Sequence, residues 1–168
     1  MREIYVELRR ILKDNGHVFL NVGNTNTKPW ISADVARCFS SSFILQNTFV
    51  WVKSISVGDE TRGNFKPINS DRFVNNTNEN IYHFTSTGEV KLDKKAIGVP
   101  YMHKANMKRF GHTEDKRCRG NTWFVPHRPI NNSSQRGGHP ATFPEDIPLM
   151  CIKITGIHTR ADTASQDR

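Results

Sequence analysis

Long apolar runs are missing from this 168-residue chain. The longest, at positions 49–52 and 149–152, are four residues each, where a membrane-spanning helix needs about 18 or more. A bilayer-crossing segment is therefore not expected. The opening residues Met1-Arg2-Glu3-Ile4-Tyr5 alternate charged and apolar side chains and lack the continuous apolar stretch of a secretory signal, so a cytoplasmic location is expected. Cysteine is scarce: Cys38, Cys118 and Cys151 lie far apart, with no Cys-x-x-Cys and no Cys/His ligand spacing, so they read as buried or idle thiols. There is no Gly-x-Ser-x-Gly elbow and no His-Glu-x-x-His helix, which sets aside the familiar serine-hydrolase and zinc-protease arrangements. His103 and His112 are separated by a basic stretch without a third ligand at suitable spacing, so no metal site is expected, and no internal repeat is present.

What the chain does carry is positive charge. Lys and Arg number 24 against 16 Asp and Glu, a net +8, which favours a polyanionic partner or a solvated basic surface. Apolar residues at 36% and aromatics at 10% are sufficient for a core in a single domain.

The periodicity is that of an α/β protein. Met1, Ile4, Tyr5, Leu8, Ile11 and Leu12 recur at helical spacing, and Lys13-Asp14-Asn15-Gly16 supplies a basic last turn with a glycine able to take a left-handed stop. The next six residues, His17 to Val22, predict a strand buried on both faces, as in a parallel sheet. Pro29 is placed to open a helix through Phe39. Strands are predicted at positions 47–53, 81–85 and 122–125 from their β-branched and aromatic content. A helix is predicted over positions 144–155, with Gly156 as its stop. The intervening residues 54–80 form a polar stretch, long for a structureless loop. Residues 89–120 lose all period while collecting Lys91, Lys94, Lys95, Lys104, Lys108, Arg109, Lys116, Arg117 and Arg119.

Five phrases in order bear on function. They are residues 12–23 (Leu-Lys-Asp-Asn-Gly-His-Val-Phe-Leu-Asn-Val-Gly), 49–53 (Phe-Val-Trp-Val-Lys), 75–85 (Asn-Asn-Thr-Asn-Glu-Asn-Ile-Tyr-His-Phe-Thr), 120–126 (Gly-Asn-Thr-Trp-Phe-Val-Pro) and 138–144 (Gly-His-Pro-Ala-Thr-Phe-Pro). As an ordered set they resemble the amino-group DNA methyltransferases that methylate adenine N6 or cytosine N4, in the permuted subclass with the recognition region ahead of the cofactor loop. The resemblance covers the chain to about position 156. It implies a partial Rossmann-like methyltransferase sheet with a basic target-recognition insertion. The corresponding divisions are a core over 1–88 with its polar loop at 54–80, an insertion over 89–135, a return helix beside the cofactor pocket over 136–156, and a loose tail over 157–168.

The same resemblance exposes two gaps. The family localises the lone pair of an exocyclic amine with an (Asp/Ser/Asn)-Pro-Pro-(Tyr/Phe) turn, yet none of the eight prolines here adjoins another. It also holds its cofactor on a Gly-x-Gly loop, where only glycine admits close backbone approach, and no two glycines here stand two positions apart. Asn78 also replaces a histidine common in the family. The chain therefore resembles a central fragment with no catalytic residues of its own.

The resemblance implies S-adenosylmethionine as cofactor, touched by His139, Pro140, Ala141, Thr142, Phe143 and Pro144. Double-stranded DNA is the implied partner, with Lys104, Lys108, Arg109, Lys116, Arg117 and Arg119 as backbone and groove contacts and Arg62, Lys66 and Arg72 adding to them. A complementary chain carrying the missing motifs is a second implied partner. The competing expectations are a non-catalytic DNA-binding module and a degenerate gene remnant.

Overall fold

A computed structural model of the chain describes residues 2–63, 68–126 and 144–156. In chain order the elements are α1 (Arg2–Ile11), β1 (His17–Val22), α2 (Ile31–Phe39), β2 (Ile44–Val52), β3 (Ser54–Val57), β4 (Glu60–Gly63), β5 (Asn78–Thr85), α3 (Lys104–Arg109), β6 (Thr122–Phe124) and α4 (Asp146–Ile154). They fall into two compact units. Among the described residues, one comprises 2–63, 68–90, 121–126 and 144–145, and the other 91–120 and 146–156.

The first unit is built on a four-stranded sheet of order β1-β5-β2-β6. β1 and β2 both pair antiparallel with β5, while β6 runs parallel to β2. The parallel pair β1 and β2 is thus split by a strand running the other way. This corrects the sequence expectation for β1: it is an edge strand with an antiparallel neighbour, half-buried along its whole length, not a strand buried within a parallel sheet. An apolar run cannot separate these cases, because it reports burial and not strand direction.

Side-chain alternation divides the sheet into two faces. On one, Tyr82 and Phe84 of β5 join Ala36, Phe39 and Phe43 in a buried cluster, with Tyr5, Leu8 and Leu12 of the first helical segment and Val18 and Leu20 of β1 packed against it. The opposite face carries His17, Phe19 and Asn21 of β1, Asn47, Phe49 and Trp51 of β2, Ile81 and His83 of β5, and Trp123 of β6. Phe49 and Trp123 lie 4.4 Å apart by ring centroid and Phe19 and His83 4.6 Å. Trp51, Trp123, Ile81 and His83 are all 1% exposed or less. The Trp51 indole is not left wanting, since its Nε1 donates to the Val125 carbonyl at 2.8 Å.

Several sequence expectations shift at their boundaries. The first helix stops at Ile11, and Gly16 closes a separate turn on the Lys13 carbonyl. Gly16 does not take a left-handed conformation. It is needed because a Cβ there would stand 2.5 Å from Leu12 Cγ. Gly156, by contrast, has φ +76° and caps α4 as expected. β2 begins at Ile44, three residues early, because a bulge at Gln46 lets the strand continue. The Gln46 amide then holds the chain leaving β5, accepting from Thr85 Oγ1 at 2.9 Å and donating to the Val90 carbonyl at 2.7 Å. The polar stretch after β2 is not structureless either: β3 and β4 form a hairpin, whose two-residue turn places Gly58 at φ +59°.

Candidate functional site

In open α/β sheets, ligands bind outside the carboxyl ends of the parallel strands. Here that edge is where β1 and β2 end and β5 begins, and it is densely polar. Glu79 lies between the two parallel strands, opposite Trp51 in register. Its carboxylate accepts from Asn21 Nδ2 at 3.0 Å through Oε2 and pairs with Lys53 Nζ at 3.1 Å through Oε1. The Lys53 and Glu79 side chains are 23% and 25% exposed, so the pair is reachable from solvent. Among the described residues, Asn21 Oδ1 is buried and has no hydrogen-bond partner. Gly23 makes room for this arrangement, because a Cβ there would approach Glu79 Cγ and Cδ to 3.1 Å.

The loop from β1 to α2 continues the edge. Asn24 Oδ1 accepts from the Ser32 backbone N–H at 3.0 Å, satisfying an unpaired donor in the first turn of α2 from a position well outside the helix. Ser32 is 2% exposed, and its hydroxyl accepts from Asn80 Nδ2 at 3.0 Å and Tyr82 Oη at 3.3 Å. Asn76 donates to the Asn24 carbonyl and to Asn26 Oδ1. Trp30, just ahead of α2, is 71% exposed.

At the other end of β1 the same sheet face carries a buried neutral relay. The Asn47 amide donates to His83 Nδ1 at 3.1 Å. His83 therefore carries its proton on Nε2 and donates to His17 Nδ1 at 2.9 Å. Burial, reinforced by the neighbouring His17, pushes the His83 pKa down to about 4, and burial lowers that of His17 in the same sense. Both rings are neutral near pH 7 and order the sheet instead of supplying charge.

The second unit holds the basic segment. Between Lys91 and Gly120 nine Lys and Arg face three Asp and Glu, a surplus of six within a chain of net +8. Lys104 is paired with Asp115, whose pKa is lowered by that hydrogen bond and by the Tyr101 backbone N–H. Lys95 lies 3.9 Å from Glu114, and Arg119 Nε donates to the Ile97 carbonyl at 2.9 Å. Among the described residues, Lys108, Arg109, Lys116 and Arg117 make no ion pair and are exposed. α3 sets Lys104 and Lys108 on one face, and Arg117 is fixed through its backbone, paired with Val99. Met102 and Phe110 flank α3 at 85% and 61% exposure, with the Arg109 guanidinium 5.8 Å from the Phe110 ring.

The remaining sequence candidates are dispersed. Arg62 lies on β4, exposed and 3.7 Å from Glu60. Arg72 is exposed in the following loop with its guanidinium over Phe73 at 4.4 Å. Lys66 and His139, Pro140, Ala141, Thr142 and Phe143 lie outside the described residues, leaving Pro144, half-buried ahead of α4. Cys38 and Cys118 are exposed, so the expectation of buried or idle thiols holds as burial only for Cys151, whose thiol burial pushes up to about 12. No three His, Cys, Asp or Glu side chains converge as metal ligands among the described residues. Sequence reasoning missed the Asn21, Lys53 and Glu79 cluster. Its signal was an asparagine inside an otherwise apolar strand, a polar group that burial forces to find partners.

Comparison with known proteins follows the same lines. The family described as DNA methylase matches residues 1–158. No curated protein matches the sequence. Among the solved structures similar to it is PvuII DNA methyltransferase (cytosine-N4-specific), with a TM-score of 0.59 and 15% identity over 92% of this chain and 54% of that one. The chain spans about half the length of that enzyme, and the likeness shows a shared Rossmann-like methyltransferase fold. Matched along nearly its whole length, the chain belongs to the DNA methylase family.

Proposed function

We propose that this chain is the duplex-gripping and base-presenting part of a site-specific DNA methyltransferase that acts on an exocyclic amino group, adenine N6 or cytosine N4. The observation that carries the DNA partner is that four of the expected contacts, Lys108, Arg109, Lys116 and Arg117, are exposed and make no ion pair among the described residues, in a member of this family. Fixed cations facing a phosphate backbone displace condensed counterions, which is the main source of sequence-independent affinity. Arg119, tied to a backbone carbonyl, and Lys104, neutralised by Asp115, contribute less.

S-adenosylmethionine, as the methyl donor of this reading, supplies an electrophilic methyl on a sulfonium. The residues of this sequence do not make a complete place for it, because they include no Gly-x-Gly to admit close backbone approach. No catalytic step is assigned to this chain alone. The proline turn and glycine loop come from a complementary chain in this proposal.

Salt-dependent binding tests the reading. If the four cations each neutralise one phosphate, the logarithm of duplex affinity falls with the logarithm of salt with a slope of about −3.6. Replacing Arg109 and Arg117 together with Ala is expected to halve that slope. An unchanged slope removes this segment from the interface. Melting with S-adenosylmethionine tests the cofactor half of the reading: the chain alone is expected to show no rise in midpoint. A ligand at a hundred times its Kd adds about 2.7 kcal/mol, so a rise of several degrees would place a complete cofactor site in this chain.

A further inference from the structure

We propose that Phe110 is a wedge that enters the base stack of the bound duplex and prises one base step open while the cations around it hold the phosphates. This rests on the DNA reading above and names how the basic segment engages the duplex.

The chain between Val99 and Arg117 forms a protrusion closed at its neck. The two residues exchange both backbone hydrogen bonds, the Val99 N–H donating to the Arg117 carbonyl at 3.0 Å and the Arg117 N–H to the Val99 carbonyl at 2.9 Å. A second clasp lies inside the first. The Tyr101 N–H donates to Asp115 Oδ1 at 3.0 Å, Asp115 also holds Lys104, and the Tyr101 and His112 rings stack at 5.9 Å. Between these clasps α3 buries none of its residues, so the protrusion takes its shape from the clasps and not from a core.

The end of α3 then fixes one ring in solvent. The His112 N–H donates to the Met107 carbonyl at 2.9 Å and the Gly111 N–H to the Lys108 carbonyl at 3.1 Å, the paired closure in which the residue after the cap turns left-handed. Gly111 has φ +67°, and a Cβ there would meet nothing within 4 Å, so the glycine serves backbone conformation and not space. Phe110, the cap residue itself, is thereby held on a defined backbone while its side chain stays exposed. Met102, just ahead of α3, is exposed as well.

A single exposed apolar side chain is ordinary, but this setting is not. The ring stands on a clasped turn in a segment whose Lys108, Arg109, Lys116 and Arg117 are exposed and make no ion pair among the described residues. Such a collar matches a partner that is anionic outside and apolar within. A nucleic acid duplex has this form, with phosphates around stacked bases, and phenylalanine is among the side chains able to part a base step. The Arg109 guanidinium, 5.8 Å from the Phe110 ring, sets a phosphate ligand beside the entering ring.

The test measures the full chain on two labelled duplexes of one sequence by fluorescence anisotropy at fixed salt. One is fully paired, and the other has a single central abasic site, where a step is already open. A wedge is spared the unstacking there, so the abasic duplex is expected to bind roughly tenfold more tightly. Phe110→Ala is expected to bring that ratio below about threefold and to leave the salt slope on the paired duplex unchanged. Lys108→Ala combined with Lys116→Ala is expected to do the reverse, lowering the slope and keeping the ratio. Circular dichroism melting checks that each variant folds, and if Phe110→Ala does not, Phe110→Gln decides. Equal binding of the two duplexes overturns the wedge and leaves the DNA reading intact. So does a ratio that survives the Phe110 substitution, or a Phe110 variant whose salt slope falls together with its ratio. Binding to phosphatidylglycerol and phosphatidylcholine vesicles but to neither duplex overturns both readings in favour of a membrane surface, and binding to none of these overturns the DNA reading and this inference with it.

Discussion

Lowering the pH is expected to destabilise this protein through one identifiable residue. His83 has no exposed surface and a folded pKa of about 4, against 6.5 in the unfolded chain. The folded value is depressed, so the unfolded chain takes up the proton first. His83 therefore holds its full contribution above about pH 6.5 and loses it progressively down to about pH 4, below which both states are protonated. The window is 2.5 pH units wide. At about 1.36 kcal/mol per unit the whole loss is about 3 kcal/mol. For a chain of this size that is a fall in Tm of roughly 6–12 °C. His17, whose pKa is lowered by burial, shifts the balance in the same direction. Carboxylates also titrate toward the lower limit, so the decisive comparison is with His83→Phe. That variant keeps an aromatic ring against Phe19 and Phe49 but takes up no proton. Its absolute stability is expected to fall, because Asn47 and His17 each lose a hydrogen-bond partner. Its pH dependence between 6.5 and 4 is expected to be distinctly flatter than that of the parent. Urea titrations at half-unit pH intervals measure both, and two-dimensional NMR of the imidazoles gives the pKa directly. Parallel stability curves for the two proteins, or a His83 that titrates near 6.5, would refute the reasoning.

Two further outcomes are expected. Of three tryptophans, Trp51 and Trp123 are 1% and 0% exposed and Trp30 is 71% exposed, so iodide is expected to quench a single component of the emission, and Trp30→Phe to abolish that quenching. Asn24→Ala removes the acceptor for the Ser32 N–H and is expected to cost about 1 kcal/mol, read as a drop of roughly 2–4 °C in Tm.

What was legible in the sequence was what hydrophobic pattern encodes. The helix containing Tyr5 and Leu8, the strands at His17–Val22 and Thr122–Phe124, and α4 all stand where apolar spacing and glycine stops placed them. The direction of β5 was not legible, since alternation is identical read either way. Nor was the early start of β2, because Gln46 looks like a turn residue until the bulge and its side-chain bonds are seen. The β3–β4 hairpin did carry a signal, Gly58-Asp59 between short β-branched runs, submerged in a stretch read only for its polarity. At the site, the basic segment was legible as composition, but its division into paired and free cations was not. That division depends on Asp115 and the Ile97 carbonyl, brought to Lys104 and Arg119 by folding.

β5 shows how one strand can hold a committed core end and a solvent-reachable end. Its last residues, His83 to Thr85, are all 0% exposed, and each polar group there is committed: His83 between Asn47 and His17, and Thr85 to Gln46. Its second residue, Glu79, is about one-quarter exposed and joined to Lys53 and Asn21 by charge-assisted contacts at the sheet edge. Partly solvated ion pairs contribute little to folding, commonly under about 1 kcal/mol, whereas a disrupted buried hydrogen-bond network leaves uncompensated groups behind. Substitution at Glu79 is therefore expected to cost the fold little, and substitution at His83 to decide whether the sheet holds. A strand running against its two parallel neighbours makes this possible. Its amino end lies at their carboxyl ends, so Glu79 meets solvent there while the rest of the strand stays in the core.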